Sequence, residues 1–277
     1  MILKNKQYYY WNKKTVSPWI IFDEQMNNKF SNINKILFKN IKIRKKQSVL
    51  DIGCGSGFTS YQLSKLVGIN GNVKAVDISR PLLDLFNKKY GYRKNLSCVR
   101  KDLQKTCFES NLFDHAISRF GVMFFEYPLQ AFTNIYKSLK SNGSLTFVCW
   151  TNFKYNQFFS IPANIVSKRI KIDIPKISNK PGPFAFKDKP YLKKLLKLSG
   201  FEKIIIKNTK TKLKINSINS EIDIMMSLGI GAQMLKENNI NKKTCNIIKE
   251  DIITQLKNKI KKKDHYNANI FLVTATK

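Results

Sequence analysis

The stretch Ser48-Val49-Leu50-Asp51-Ile52-Gly53-Cys54-Gly55-Ser56-Gly57-Phe58 constrains this chain more than any other. An apolar run ends in an acid, three glycines alternate, and a helix-forming segment opens. That pattern is a buried strand feeding a tight turn. Glycine has no Cβ and reaches positive φ, so a ligand can approach the turn closely. The helix beyond offers free N–H groups and a positive dipole end. A nucleotide-like cofactor at the carboxyl edge of a parallel sheet is the expectation. A dinucleotide fingerprint reads G-x-G-x-x-G. Here the glycines at 53, 55 and 57 put the third one residue early, and Asp51 stands two residues before the first. The spacing speaks against a nicotinamide cofactor.

A regular alternation follows the turn. Short apolar runs predict strands at 48–52, 73–77, 96–100, 114–118 and 144–150. Helices are expected at 57–67, 80–90 and 128–140. Ser79-Arg80-Pro81 reads as a helix start with proline in the first turn. Ser141-Asn142-Gly143 reads as a helix end before a strand. This rhythm predicts an α/β fold with a doubly wound, mostly parallel sheet. Past Trp150 the texture changes: a helix at 158–170, a loop at Lys180-Pro181-Gly182-Pro183, a helix at 188–198 ended by Gly200, and a strand at 201–206. Residues 220–263 read as Lys- and Asn-rich helix, and 269–275 as a closing strand. The expected organisation is an N-terminal arm and helix over 1–46 acting as a lid, a cofactor-binding core over 47–150, and a completing segment over 151–277. A helical substrate cap at about 210–265 would be inserted before the last strand.

With 43% hydrophobic and 12% aromatic residues, the 277-residue chain reads as globular. No apolar run approaches the roughly 20 residues needed to span a bilayer. The N-terminus lacks the apolar stretch of a secretory signal, so a cytoplasmic protein is expected. The five cysteines, at 54, 98, 107, 149 and 245, show neither metal-ligand spacing nor a disulfide framework. The net charge of +32 is harder to place. Abundant Lys, Asn and Ile with scarce Arg point to AT-rich coding, which does not explain the shortage of acids. Lys42–Lys46 and Lys257–Lys263 read as solvated faces. The sharper readings are an anionic substrate, RNA, or peripheral contact with a membrane surface.

The pattern Asp-x-Gly-x-Gly-x-Gly at 51–57 resembles motif I of the class I S-adenosylmethionine-dependent methyltransferases. Further segments agree in order. Val73–Asp77 ends a second strand in an acid that can accept hydrogen bonds from ribose hydroxyls. Arg100-Lys101-Asp102-Leu103 ends the third. The span 113–150, with Ser118-Arg119-Phe120-Gly121-Val122-Met123-Phe124-Phe125 and Phe147-Val148-Cys149-Trp150, resembles a bacterial group of small-molecule methyltransferases related to the ubiquinone/menaquinone C-methyltransferases. Gly182-Pro183-Phe184-Ala185-Phe186 and the pair Trp11 and Trp19 fit the same group, although Lys13 and Val16 stand where small residues are usual.

The resemblance implies a seven-stranded Rossmann-like methyltransferase fold with S-adenosylmethionine as cofactor. Asp51, Gly53, Cys54 and Gly55 would hold its methionine end. Asp77 and Ile78 would hold ribose and adenine, Asp102 and Leu103 the adenine. Ser118, Arg119 and Phe120 would lie beside the sulfonium, with Arg119 alternatively facing the cofactor carboxylate or an acidic substrate.

Methyl transfer from a sulfonium is an in-line displacement, so the protein's task is positioning and exclusion of water. No catalytic base is nominated. His115 falls inside a strand, His265 in a basic, exposed stretch, and Tyr8, Tyr9 and Tyr10 sit in the arm. Trp11, Trp19, Phe120, Phe124, Trp150 and Phe184 suggest a pocket for a quinone-like, aromatic or lipid-like acceptor. Two other readings compete: an RNA methyltransferase, motivated by charge, and a cofactor-binding partner protein without turnover. Against the first, the loop at 118–121 carries neither an Asn/Asp-Pro-Pro-Tyr motif nor a Pro-Cys nucleophile.

Overall fold

The computed structural model describes residues 6–260 and 264–277. Residues 1–5 of the arm and 261–263 of the basic run at 257–263 lie outside them. Seven strands form one sheet: β1 Ser48–Ile52, β2 Asn72–Asp77, β3 Leu96–Arg100, β4 Phe113–Arg119, β5 Leu139–Trp150, β6 Glu202–Lys214 and β7 His265–Thr276. Their order is β3-β2-β1-β4-β5-β7-β6. β1 to β5 run parallel, and β7 is antiparallel to both β5 and β6. The order reverses between β1 and β4, which opens a crevice at their carboxyl ends.

The strands form where buried parallel strands should. Val49, Leu50, Ala116 and Ile117 are wholly buried, as expected of strands covered by helices on both faces. Helices Phe58–Val67, Arg80–Tyr90, Pro128–Ser138 and Lys189–Leu198 cover the sheet. Ser79 caps the second of these, its Oγ accepting from the Leu82 N–H at 3.4 Å. Asp188 caps the last by accepting from the Tyr191 N–H at 3.0 Å.

Two local expectations need correction. Ser141-Asn142-Gly143 does not end a helix, because the helix stops at Ser138. These residues form a bulge: the β4–β5 register jumps from Phe113↔Leu139 to His115↔Ser144, and Asn142 takes a φ of 62°. β6 also runs on to Lys214 rather than ending near 206, since β7 pairs with it along that length.

The N-terminal region is a chain of short helices: Lys6–Tyr9, a π-helical turn Tyr10–Lys14, Val16–Ile21, Asp23–Lys29 and Ser31–Lys39. Between β6 and β7 lie helices Ile218–Ser227, Gly229–Glu237 and Lys242–Ile260. A buried ion pair joins the two regions. Lys29 Nζ lies 2.5 and 2.6 Å from the Glu221 carboxylate oxygens. Tyr266 Oη and the Asn216 N–H donate to the same carboxylate at 3.0 and 2.7 Å. Burial lowers the Lys29 pKa against the opposing pull of Glu221. No helix among the described residues is long and apolar enough to cross a membrane.

Candidate functional site

The loops leaving the carboxyl ends of β1 to β5 converge on a cavity of about 240 Å³. Its floor is the glycine turn. The N–H groups of Gly53 and Cys54 both donate to the Val76 carbonyl, at 2.8 and 3.1 Å, so the turn lies across the end of β2. The three glycines do different work. Gly53 passes against Gly121, and a Cβ on it would fall 2.6 Å from the Gly121 Cα. Gly57 makes room for Phe86, whose ring would lie 2.2 Å from an added Cβ. Gly55 has no atom within 4 Å of that position and lines the cavity.

Asp77 sits beside Gly55. Its carboxylate accepts from the Gly55 N–H at 2.8 Å and the Ser79 N–H at 2.9 Å. Burial pushes its pKa up, and these donors oppose the shift. Ile78, Asp102, Leu103 and Cys54 complete this end of the lining. Asp102 Oδ1 accepts from the Gln104 backbone and side chain at 3.1 and 3.0 Å.

Three expected site residues do not reach the cavity. Asp51 lies behind the turn, 1% exposed. Its Oδ2 accepts from Ser60 Oγ at 2.5 Å, and its Oδ1 is buried with no hydrogen-bond partner. Burial raises its pKa to about 6, with Ser60 and the Arg119 charge pulling the other way. Ser118 is fully buried; its hydroxyl donates to the Ile52 carbonyl at 2.8 Å and accepts from the Gly121 N–H at 3.2 Å. It ties the end of β4 to the end of β1. Phe184 stands edge-on to Phe159 and Phe153, in a second layer, and Pro183 lines the cavity instead.

Arg119 and Phe120 do line it. Arg119 donates to Asn34 Oδ1 at 2.9 Å and to Asn27 Oδ1 at 2.8 Å, so two N-terminal helices orient it. Burial lowers its pKa to about 10, opposed chiefly by Asp51, and it stays charged near neutrality. Phe120 takes a φ of 68°, an unusual conformation for an aromatic residue. Its ring stacks on Trp150 at 4.3 Å with planes 10° apart. Phe124 meets Trp11 edge-on at 4.8 Å, and Trp19 lies 6.1 Å from Trp11. All four of Trp11, Trp19, Phe124 and Trp150 line the cavity.

Residues of the N-terminal region and the β6–β7 insertion roof the cavity, among them Gln7, Tyr10 and Gln233. Trp11 and Asn12 are docked on the loop after β2. Ser79 Oγ donates to the Trp11 carbonyl at 2.8 Å, Asn12 Nδ2 to the Ile78 carbonyl at 3.2 Å, and the Arg80 N–H to Asn12 Oδ1 at 2.9 Å. Sequence reasoning missed Asp23. Its carboxylate accepts from Ser56 Oγ, lies 2.5 Å from Lys89 Nζ and takes a bond from Asn27 at 3.1 Å. Such a contact, across 33 positions to Ser56, has no local signal.

Neither histidine belongs to the site. His115 pairs with Val49 at the opposite end of β1 and bonds Ser144 Oγ and Gln47 Oε1 at 2.7 and 3.1 Å. His265, expected in an exposed stretch, begins β7 with its side chain 14% exposed, 2.9 Å from Asp264.

Residues 50–147 match the methyltransferase-domain family. A demethylmenaquinone methyltransferase of Staphylococcus haemolyticus is 28% identical over 186 residues, 63% of this chain and 76% of that protein. The one from Staphylococcus aureus is 32% identical over 109 residues, 39% of this chain and 45% of its own length. The match to the latter therefore spans less than half of that relative. Among solved structures, Haemonchus contortus phosphoethanolamine N-methyltransferase 2 in complex with S-adenosyl-L-methionine has a TM-score of 0.59 at 18% identity, covering 98% of this chain and 59% of that one. The YcgJ protein of Bacillus subtilis has a TM-score of 0.57 at 14% identity, covering 89% and 98%. These structural likenesses concern the fold. The matched methyltransferase domain and the demethylmenaquinone methyltransferase relatives support a class I S-adenosylmethionine-dependent methyltransferase related to the menaquinone methyltransferases, with S-adenosylmethionine as its cofactor.

Proposed function

We propose that the chain methylates a small apolar acceptor, ring-bearing or lipid-like, held beneath the N-terminal helices. The observation that carries this reading is the aromatic half of the cavity, where Phe120 and Trp150 stack and Trp11, Trp19 and Phe124 close the side. Flat aromatic walls suit an apolar or planar acceptor. The naming of the Staphylococcus relatives as demethylmenaquinone methyltransferases favours a quinone-like member of that class.

The residues present fit the cofactor. Gly55 leaves open space where any other residue would carry a Cβ. The Asp77 carboxylate accepts from the Gly55 and Ser79 N–H groups, and a carboxylate has acceptor capacity beyond those bonds for ribose hydroxyls. When bound, S-adenosylmethionine supplies a methyl group activated on a sulfonium. Asp77 would grip the ribose hydroxyls, Ile78, Asp102 and Leu103 would hold the adenine, and the turn at Gly53, Cys54 and Gly55 the methionine end. Arg119, oriented by Asn27 and Asn34, would face the cofactor carboxylate. Asp51 and Ser118 would act from behind the turn by fixing its shape. The residues from Gln7 to Trp19 serve as a lid, and the insertion as its counterpart. Excluding water and holding two reactants in line can supply roughly 7–11 kcal/mol of the barrier.

The test is calorimetric titration with S-adenosylmethionine, then turnover against a panel of hydroquinones, phenols and lipid-like acceptors. Asp77→Ala should weaken cofactor binding by about 2–4 kcal/mol. Unchanged affinity in that variant would sink the placement. Turnover on an RNA oligomer, with none on the small acceptors, would sink the acceptor class.

A further inference from the structure

We infer that the outer face of residues 6–21 is a docking surface for an anionic lipid bilayer. This rests on the reading that an apolar acceptor is held beneath these residues. The segment is two-faced. Gln7, Tyr10, Trp11 and Trp19 turn inward and line the cavity. Lys6, Tyr9, Lys13, Ser17 and Ile21 are exposed on the three successive pieces Lys6–Tyr9, Tyr10–Lys14 and Val16–Ile21, a broken stripe of exposed side chains. Tyr9 and Ile21 are 62% and 66% exposed. Lys14, also exposed, faces Glu237 at 3.9 Å.

The composition of this stripe selects its partner. A tyrosine ring has an apolar body and a polar tip, and a lysine can lay its stem on apolar surface while its ammonium reaches phosphate. Alternating cations with exposed apolar groups suit the headgroup boundary of a bilayer. A nucleic-acid backbone would use the lysines and leave Ile21 in water. The net charge of +32 adds long-range attraction to any anionic surface. The stripe adds orientation, turning toward the lipid the segment that covers the acceptor end of the cavity. A lipid-like acceptor would then pass from the bilayer into the cavity beneath the arm.

The experiment is co-sedimentation of the full chain with vesicles of phosphatidylcholine mixed with phosphatidylglycerol, against phosphatidylcholine alone. The variants are Lys6→Glu/Lys13→Glu and Tyr9→Ser/Ile21→Ser. The control, Lys193→Glu/Lys197→Glu on the helix Lys189–Leu198, removes the same net charge from another exposed face. All these side chains are exposed, and unchanged melting confirms folding. The arm charge pair should lower partition into the anionic vesicles roughly ten-fold or more, the apolar pair several-fold, and the control less than two-fold. Equal loss in the two charge pairs, or no binding to anionic vesicles, overturns the docking surface. So does retention of vesicle binding in the arm variants with loss of binding to an RNA oligomer. Partition is read without cofactor or acceptor, so it can fail while methyl transfer to a dissolved acceptor succeeds, and the reverse.

Discussion

Gly53 and Gly121 meet backbone against backbone at the point where the strand order reverses. A Cβ on Gly121 would lie 2.7 Å from the Gly53 Cα and 2.6 Å from the Ile52 carbonyl oxygen. The Ser118 hydroxyl brackets this approach by bonding both sides. Gly121→Ala therefore has to push the ends of β1 and β4 apart. We predict a loss of about 1–3 kcal/mol in stability and a clear drop in affinity for S-adenosylhomocysteine. Gly55→Ala should separate the two effects. Its Cβ meets nothing, so the fold loses only about 1–2 kcal/mol for the left-handed φ of +55°, while the methyl group intrudes on the ligand side. Denaturant melts with parallel calorimetry decide. A Gly121→Ala protein with parental stability and affinity would refute the role of the contact.

Asp51 makes stability depend on pH in an unusual direction. Its folded pKa is about 6, raised above the ordinary carboxylate value of 3.8, because burial disfavours the charge more than Ser60 and Arg119 restore it. The folded protein therefore binds the proton more tightly than the unfolded chain. Its contribution is fully present below about pH 4 and is lost as pH rises toward 6, by roughly 2–3 kcal/mol. Asp51→Asn removes this dependence. The stability of the variant relative to the parent should improve steadily between pH 4 and 6 and level off above. Urea melts across that range test it, and a difference independent of pH would show that the folded Asp51 titrates normally.

The half of the cavity proposed for the cofactor is legible in the sequence because its signals are local. Apolar runs punctuated by Asp51, Asp77 and Asp102 mark strand ends, and β1, β2 and β3 fall within a residue of their expected bounds. Strand position does not say which side a residue faces. Hence Asp51, Ser118 and Phe184, expected in the site from their positions, do not line the cavity. Gly57 reads as part of the ligand turn but serves the packing of Phe86. The end of β6 was hidden because an exposed edge strand rich in lysine resembles a loop in composition. Arg119 with Asn27 and Asn34, and Asp23 with Ser56, join segments far apart in the chain, and no spacing rule reaches that distance.

Lys29 and Glu221 are both wholly buried, and they fasten the N-terminal helices to the insertion. Removing one charge strands the other. Lys29→Met should cost about 3–5 kcal/mol. Lys29→Met with Glu221→Gln should recover most of that loss, because the neutral amide oxygen can still accept from Tyr266 or from the Asn216 N–H, which now bond the carboxylate at 3.0 and 2.7 Å. A double-mutant cycle in denaturant reads the coupling. Additive losses would mean that the pair contributes no net attraction.

Asn12 holds the π-helical turn against the loop after β2 through two bonds, one to the Ile78 carbonyl and one from the Arg80 N–H. A π-helical turn is a rare geometry that concentrates at functional sites, and here it carries Trp11 over the cavity. Asn12→Ala removes both bonds but leaves Ser79 Oγ on the Trp11 carbonyl. Losing about 1–2 kcal/mol of local attachment should raise amide hydrogen exchange across residues 6–15 roughly ten-fold, with little change in the sheet. Adding S-adenosylmethionine should restore part of the protection, since Ile78 belongs both to the latch and to the lining of the cavity proposed to hold the cofactor. Were exchange in 6–15 the same in parent and variant, the two bonds would not be what holds this segment on the loop after β2, and the Ser79–Trp11 bond would be the next to remove.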